Sequence, residues 1–191
     1  MGETNNVFLI GPMGVGKSTI GRLLAAQLHM PFFDSDREIE FATGADIPWI
    51  FDVEGEPGFR LREARMIDTL TQRQGIILAT GGGAILDPQS RQHLHDRGTV
   101  VYLRASVAQQ LERTGKDKNR PLLQTANPLA KIKELFKIRE PLYRETAHLI
   151  IDTSRRSPRS VSSDITRQLH NLWNHSAAPQ ENSPAAESDK L

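Results

Sequence analysis

The sequence predicts an α/β protein built as a five-stranded parallel sheet with helices on both faces, and three observations lead there. Five short, almost uniformly apolar runs recur along the chain, longer helix-like stretches separate them, and glycine-rich or acidic segments follow the first three runs. Alternating strand and helix signals are what strands joined by crossover helices produce. Runs apolar on both sides suit strands covered above and below, and ligands of such sheets gather at the strands' carboxyl ends.

In chain order, VFLI at 7–10 is the first strand, and GPMGVGKST carries it into a helix at 17–28. PFFD at 31–34 gives a second strand that runs into the acidic triplet DSD. A helix at 59–73 leads to the third strand, IILA at 76–79, followed by TGGG. Helices at 88–96, 107–114 and 128–143 flank a fourth strand at 100–103 and precede a fifth at 149–152; an amphipathic stretch at 161–173 closes the fold.

The chain of 191 residues is long enough for one domain with a real core. That domain is expected to cover 1–175. The stretch SAAPQENSPAAESDKL from Ser176 mixes Ala, Pro, Ser and polar residues without periodicity and reads as a disordered tail. The 24 Lys and Arg against 23 Asp and Glu leave a formal charge of +1, so no global field favours nucleic acid or an anionic membrane. Any anion must be captured locally. Without cysteine there is no disulfide framework, thiolate catalysis or Cys-ligated zinc. The apolar runs are too short to cross a bilayer, and the N-terminus lacks the basic and apolar regions of a signal peptide, so a cytoplasmic protein is expected.

Gly11, Gly16, Lys17 and Ser18 complete G-x-x-x-x-G-K-[ST] between a predicted strand and a predicted helix, the context a P-loop requires. Glycines let the chain wrap with its amides inward, and the helix adds unpaired N–H groups and a partial positive end, so polyphosphate binds with little reorganisation. Gly14, Val15, Gly16, Lys17, Ser18 and Thr19 are the expected ATP contacts, with Lys17 reaching the β- and γ-phosphates and Ser18 ligating Mg²⁺. The alternative is a glycine-rich turn that only links strand to helix. P-loop chains include motors, GTPases and kinases; the short chain and the lack of an N-K-x-D sequence point to a compact kinase.

Asp34 and Asp36 close the second strand, where Asp34 is suited to Mg²⁺ and Asp36 to an acceptor hydroxyl. Capping of the following helix is the competing role. Arg60 and Glu63, three apart, suit a carboxylate fork and the group that holds it, or else an ordinary exposed ion pair. Gly81, Gly82 and Gly83 allow close backbone approach to a ligand, or form a flexible turn. The strand that precedes them carries Ala79 and Thr80 where many P-loop enzymes place an aspartate, which leaves the metal role to Asp34 or to water. The polar stretch at 114–124 reads as a mobile lid whose Arg120 can neutralise charge on a transferring phosphoryl group, or as a solvated loop. Arg139 and the Arg155–Arg156 pair are ambiguous by themselves.

Together, GPMGVGKSTIGR, FFDSD, GEPGFRLREA, ATGGGAI, RTGKDKNRPLL, IREPLYRE and DTSRRSP resemble the shikimate kinase family from near residue 7 to about residue 172. The resemblance implies ATP-dependent, Mg²⁺-assisted phosphorylation of the 3-hydroxyl of shikimate, in chorismate and aromatic amino-acid biosynthesis; a monomer that binds neither nucleic acid nor membrane is expected. It puts Asp36, Arg60, Gly81, Gly82, Gly83 and Arg139 at substrate-binding positions within and beyond a substrate segment at 35–63. Arg60 and Arg139 match the pair that grips the carboxylate, and Phe51 and Phe59 match apolar walls. Lys17, Asp36 and Arg120 are the implied catalytic residues, Arg113, Arg120 and Arg156 the further nucleotide contacts, and Ser18 and Asp34 the metal ligands. Pro48 and Trp49 depart from the family pattern, as does the long tail.

Two other functions compete. A gluconate kinase would share the cradle and the small-kinase plan, but the arginine set argues for an acidic acceptor. A non-catalytic ATP-binding module would not need both Asp36 and Arg120. RNA binding through Arg155 and Arg156 lacks a basic stripe or an aromatic platform.

Overall fold

The computed structural model describes residues 5–114 and 121–176. Strands β1 (Val7–Ile10), β2 (Phe32–Asp34), β3 (Ile77–Ala79), β4 (Thr99–Arg104) and β5 (Leu149–Asp152) form one sheet in the order β2-β3-β1-β4-β5, every pairing parallel. All five expected strands are present, with ends shifted by at most one residue. Helices α1 (Lys17–Leu28), α2 (Ser35–Thr43), α3 (Ile47–Thr71), α4 (Pro88–Arg97), α5 (Val107–Thr114), α6 (Pro128–Thr146) and α7 (Pro158–Ser176) complete the fold, with short 3₁₀ turns at Ala84–Leu86 and Pro121–Leu123.

Alternation along β1 builds a core on each face of the sheet. Val7 and Leu9 pack with Ile20 and Leu24 of α1 and Ile165 and Leu169 of α7, while Phe8 and Ile10 pack with Ile67 and Leu70 of α3 and Tyr143 of α6. All four β1 side chains are fully buried, which is why the run carries no polar residue. Leu9 aligns with Ala79 of β3, and Ala79 with Asp34 of β2. The loop after β1, the glycine triplet after β3 and the acidic end of β2 therefore leave the sheet at one edge. The chain turns from β1 to one side and crosses from β3 to β4 on the other, the topology that opens a crevice at the strand ends.

Two helical segments add to the helices expected in chain order, the first of them the one whose capping competes for Asp34. Asp34 caps α2, and α3 begins at Ile47 instead of 59, capped by Asp46, whose side chain accepts from the Trp49 amide at 2.9 Å. Pro48 sits in the first turn of α3, where a missing N–H costs nothing. Gly55, with φ 69° and ψ 178°, breaks the backbone inside α3, and Pro57 follows. The two halves of α3 thus present different faces and share no single apolar periodicity, which hid the first half from a pattern search. Ile39 of α2 packs with Ile50 and Phe59 of α3 in a small third core above the sheet's edge. α7 runs to Ser176; the rest of the proposed tail lies outside the described residues. Among the described residues, no helix is long and apolar enough to cross a membrane.

Candidate active site

The phosphate cradle follows from backbone conformation. Gly11, Gly14 and Gly16 have φ of 141°, 74° and 100°, values that side chains disfavour, and a Cβ on Gly14 would press on Thr114 and Arg113. Gly16 caps α1 without any side-chain hydrogen bond, which leaves the first amides of the helix to a ligand. Lys17 Nζ donates to the carbonyls of Gly11 (2.7 Å) and Pro12 (2.9 Å). Val15 is buried and contributes its backbone; Thr19 follows on the exposed side of the first turn.

Asp34 takes the capping role with one carboxylate oxygen and leaves the other to Ser18. Its Oδ1 accepts from the amides of Asp36 (3.1 Å) and Arg37 (3.4 Å), capping α2, while its Oδ2 accepts from the Ser18 hydroxyl at 2.5 Å. A hydroxyl and a carboxylate thus meet at the mouth of the cradle, a hard oxygen donor set of the kind Mg²⁺ selects.

Arg113 of α5 lies beside the cradle, its Nη1 3.3 Å from the Val15 carbonyl. Arg156 follows β5 and is held by Asp164 at 3.0 Å and by Ser160. Among the described residues its hydrogen bonds lie within residues 152–164, and none of them reaches the cradle. Arg120 and most of the expected lid lie outside the described residues; of its end, Leu122 reaches a second cavity.

That second cavity brings together Asp36, Arg60, Glu63, the glycine triplet and Arg139, with Phe51 and Phe59 on its apolar side. The two phenyl rings pack with centroids 4.7 Å apart. Asp36 also lines the open groove that runs past Ser18 and Asp34, so it borders the acceptor cavity and the phosphate side alike. Arg60 Nη1 pairs with Glu63 Oε2 at 2.6 Å, and Nη2 pairs with Glu56 at 2.8 Å. This is no exposed surface pair, since the Glu63 side chain is only 3% exposed.

The two guanidinium groups differ in how they are compensated. Both lose hydration, but Glu63 and Glu56 together hold Arg60 above the ordinary arginine value, whereas burial dominates at Arg139 and pulls it down. Burial likewise raises the Glu63 carboxyl, against the pull of Arg60 and Arg139. Arg139 is 3% exposed, and its Nε and Nη2, like Glu63 Oε1, have no hydrogen-bond partner among the described residues. Buried donors in that condition are costly unless a ligand completes them.

Gly81 and Gly83 are there for space and not for φ, which is −100° at Gly83, whereas a Cβ on Gly82 would meet only ordinary contacts. A Cβ on Gly83 would land on the Arg60 guanidinium, and one on Gly81 on Glu63 Oε1 and Asp36 Oδ1. Two residues that the sequence did not single out fix this loop. Ser35 Oγ accepts from the Gly81 amide at 2.8 Å, and Tyr143 donates to the Gly82 carbonyl at 2.5 Å. Ser35 was visible between the two aspartates; Tyr143 was visible only as the residue one helical turn after Arg139.

A parallel sheet whose first strand feeds a phosphate cradle, with a small-molecule cavity holding two largely buried guanidinium groups at the same edge, defines a P-loop kinase of small metabolites. The family model for shikimate kinase matches residues 13–170, and the chain belongs to that family. It is 58% identical over 183 residues, 96% of each chain, to the shikimate kinase of Thioalkalivibrio sulfidiphilus, and 59% identical over 167 residues to that of Pseudomonas fluorescens, covering 87% of this chain and 97% of the relative. Its fold is similar to the shikimate kinase of Acinetobacter baumannii solved in complex with shikimate, with a TM-score of 0.87, 52% identity and coverage of 89% and 96%.

Proposed function

We propose that the protein transfers the γ-phosphoryl group of ATP to the 3-hydroxyl of shikimate, giving shikimate 3-phosphate and ADP, in aromatic amino-acid biosynthesis. The observation that carries this reading is Arg139, a buried guanidinium with two open donors, in one cavity with Arg60 and a carboxylate that accepts from hydroxyls. Together they match an acidic polyol. A gluconate kinase or a non-catalytic module is not favoured by family membership.

In this reading the amides at 14–19 and Lys17 bind the phosphates, and Arg113 borders the nucleotide. Arg60 and Arg139 hold the acceptor carboxylate against the glycine triplet. Asp36 accepts a hydrogen bond from the 3-hydroxyl and takes its proton as the oxygen bonds to the γ-phosphorus and the bond to the bridging oxygen of ADP breaks. The Phe51 and Phe59 walls keep water from the acceptor side. Ser18 and Asp34 would hold Mg²⁺, which when bound offsets charge on the phosphate oxygens. Arg120, outside the described residues, and Arg156, tied to its own segment, keep their proposed roles as lid and adenine-side groups. The protein is proposed to act as a cytoplasmic monomer.

A coupled ADP-release assay with shikimate, with gluconate and without acceptor tests the reading. Turnover that depends on shikimate supports it; equal turnover with gluconate, or none with either, overturns it.

A further inference from the structure

We propose that Tyr143 is a positioning residue for the acceptor: its hydroxyl, donated to the Gly82 carbonyl, locks the glycine loop to the helix that carries Arg139. The proposal rests on the acceptor reading above and adds to it the group that sets the distance between two of its parts.

Tyr143 is 1% exposed and sits four residues after Arg139 on α6, so both side chains leave the same face of that helix. Its Oη lies 2.5 Å from the Gly82 carbonyl, 61 residues away in sequence. A Cβ on Gly82 would come within 3.7 Å of Arg139 Nη1 and 3.4 Å of the Met13 amide in the cradle. Gly82 therefore lies against the P-loop and Arg139, and its carbonyl is tied to the phenol that itself contacts Arg139. Fixing its carbonyl fixes the plane of the Gly82–Gly83 peptide, and so the direction of the next amide. The Gly81 amide is already taken by Ser35, which pins the preceding peptide. The loop is tied at successive residues, from α2 on one side and α6 on the other.

The chain supplies its own control. It has two tyrosines, and Tyr102 of β4 stacks on Tyr143 with ring centroids 4.9 Å apart and planes 20° apart. Both side chains are fully buried, yet the Tyr102 hydroxyl has no partner among the described residues. If the pair served only to fill the core, removing either hydroxyl would leave acceptor binding unchanged, whatever it did to stability. Burial raises both phenols above their ordinary value, Tyr102 to about 12, so neither ionises near neutral pH and the Tyr143 hydroxyl remains a donor.

The experiment compares Tyr143→Phe with Tyr102→Phe, each of which keeps the ring and its stacking. Tyr143→Phe is expected to raise KM for shikimate by about 10-fold, the scale of one lost neutral hydrogen bond, with KM for ATP unchanged. Tyr102→Phe is expected to leave both constants at the wild-type values. A Tyr143→Phe enzyme with lowered thermal stability but unchanged KM for shikimate would overturn the proposal, as would equal effects of the two variants. Should Tyr143→Phe fail to fold, wild-type protein labelled at the tyrosine ring carbon bearing oxygen gives two resonances, assigned with Tyr102→Phe. Shikimate is then expected to shift the Tyr143 resonance more than ATP alone does; no shift, or a larger one with ATP, would contradict the tie. Failure of the wild type to turn over shikimate would instead remove the underlying function, so the two failures are distinguishable.

Discussion

The two compartments at the edge of the sheet treat their polar groups in opposite ways. In the cradle each named side chain rests on a partner within the protein: Lys17 on the Gly11 and Pro12 carbonyls, Ser18 on Asp34, Arg113 on the Val15 carbonyl. In the acceptor cavity, Arg139 and Glu63 keep open polar atoms under cover. The cradle is built from backbone amides, which bind polyphosphate without a stored penalty. The acceptor side carries the desolvation cost of its charges before any ligand arrives, and an anion of the right shape relieves it. Affinity for the acceptor should therefore depend on charge completion, and turnover on the cradle.

The largest effect expected from that contrast is on turnover. Lys17→Met should lower kcat by on the order of 10³-fold, the scale of losing a cation aimed at a transferring phosphoryl group. Shikimate binding, measured by calorimetry, should survive. Loss of acceptor binding as well would mean that the compartments are not separable.

Next in size are the two arginines, which sharpen the contrast because they differ in compensation. Arg60→Ala and Arg139→Met should each raise KM for shikimate by about 10²-fold, the worth of charge-assisted hydrogen bonds. Their stabilities should diverge. Arg60→Ala strands Glu63 without its nearest counter-charge, and breaking a buried pair costs about 3 kcal/mol, reduced by whatever protonation of Glu63 recovers. Arg139→Met removes a buried cation with open donors and should leave the melting temperature unchanged or higher. Equal destabilisation by both, read by differential scanning calorimetry, would break the comparison.

The smallest effect lies at the opposite end of the sheet. His148 precedes β5, its Nδ1 accepts the Val100 amide at 2.9 Å, and its ring stacks on His95 of α4 at 4.3 Å. Burial, then the nearby His95, lowers its pKa below the ordinary 6.5. A folded-state value below the unfolded one gives stability that is present above 6.5 and lost as the pH falls through the folded-state pKa. The urea midpoint should fall over that range, and His148→Gln should flatten the fall. The slope should be the same in wild type and Arg139→Met, because this titration belongs to the scaffold and not to the acceptor cavity.

How far the sequence could be read follows the same divide. The strands and the cradle are contiguous patterns, and they stood out as such. The roles of Asp34 needed coordinates, since capping and the Ser18 bond use different oxygens of one carboxylate. The first half of α3 was hidden by the break at Gly55. The run of three glycines was visible, but what makes two of them necessary, the packing of Glu63 and Asp36 against Gly81 and of Arg60 against Gly83, was not. Arg60 and Arg139 are ambiguous one at a time, because what distinguishes them from surface arginines is burial. Ser35 and Tyr143 act across 46 and 61 residues, a separation at which no local pattern survives.

The central claim is that a ligand carboxylate completes the buried guanidinium groups. Calorimetric titration of the protein with shikimate and with its uncharged carboxamide, similar in shape, tests it most directly. The acid is expected to bind about 10²-fold more tightly than the amide; equal affinities would contradict the account.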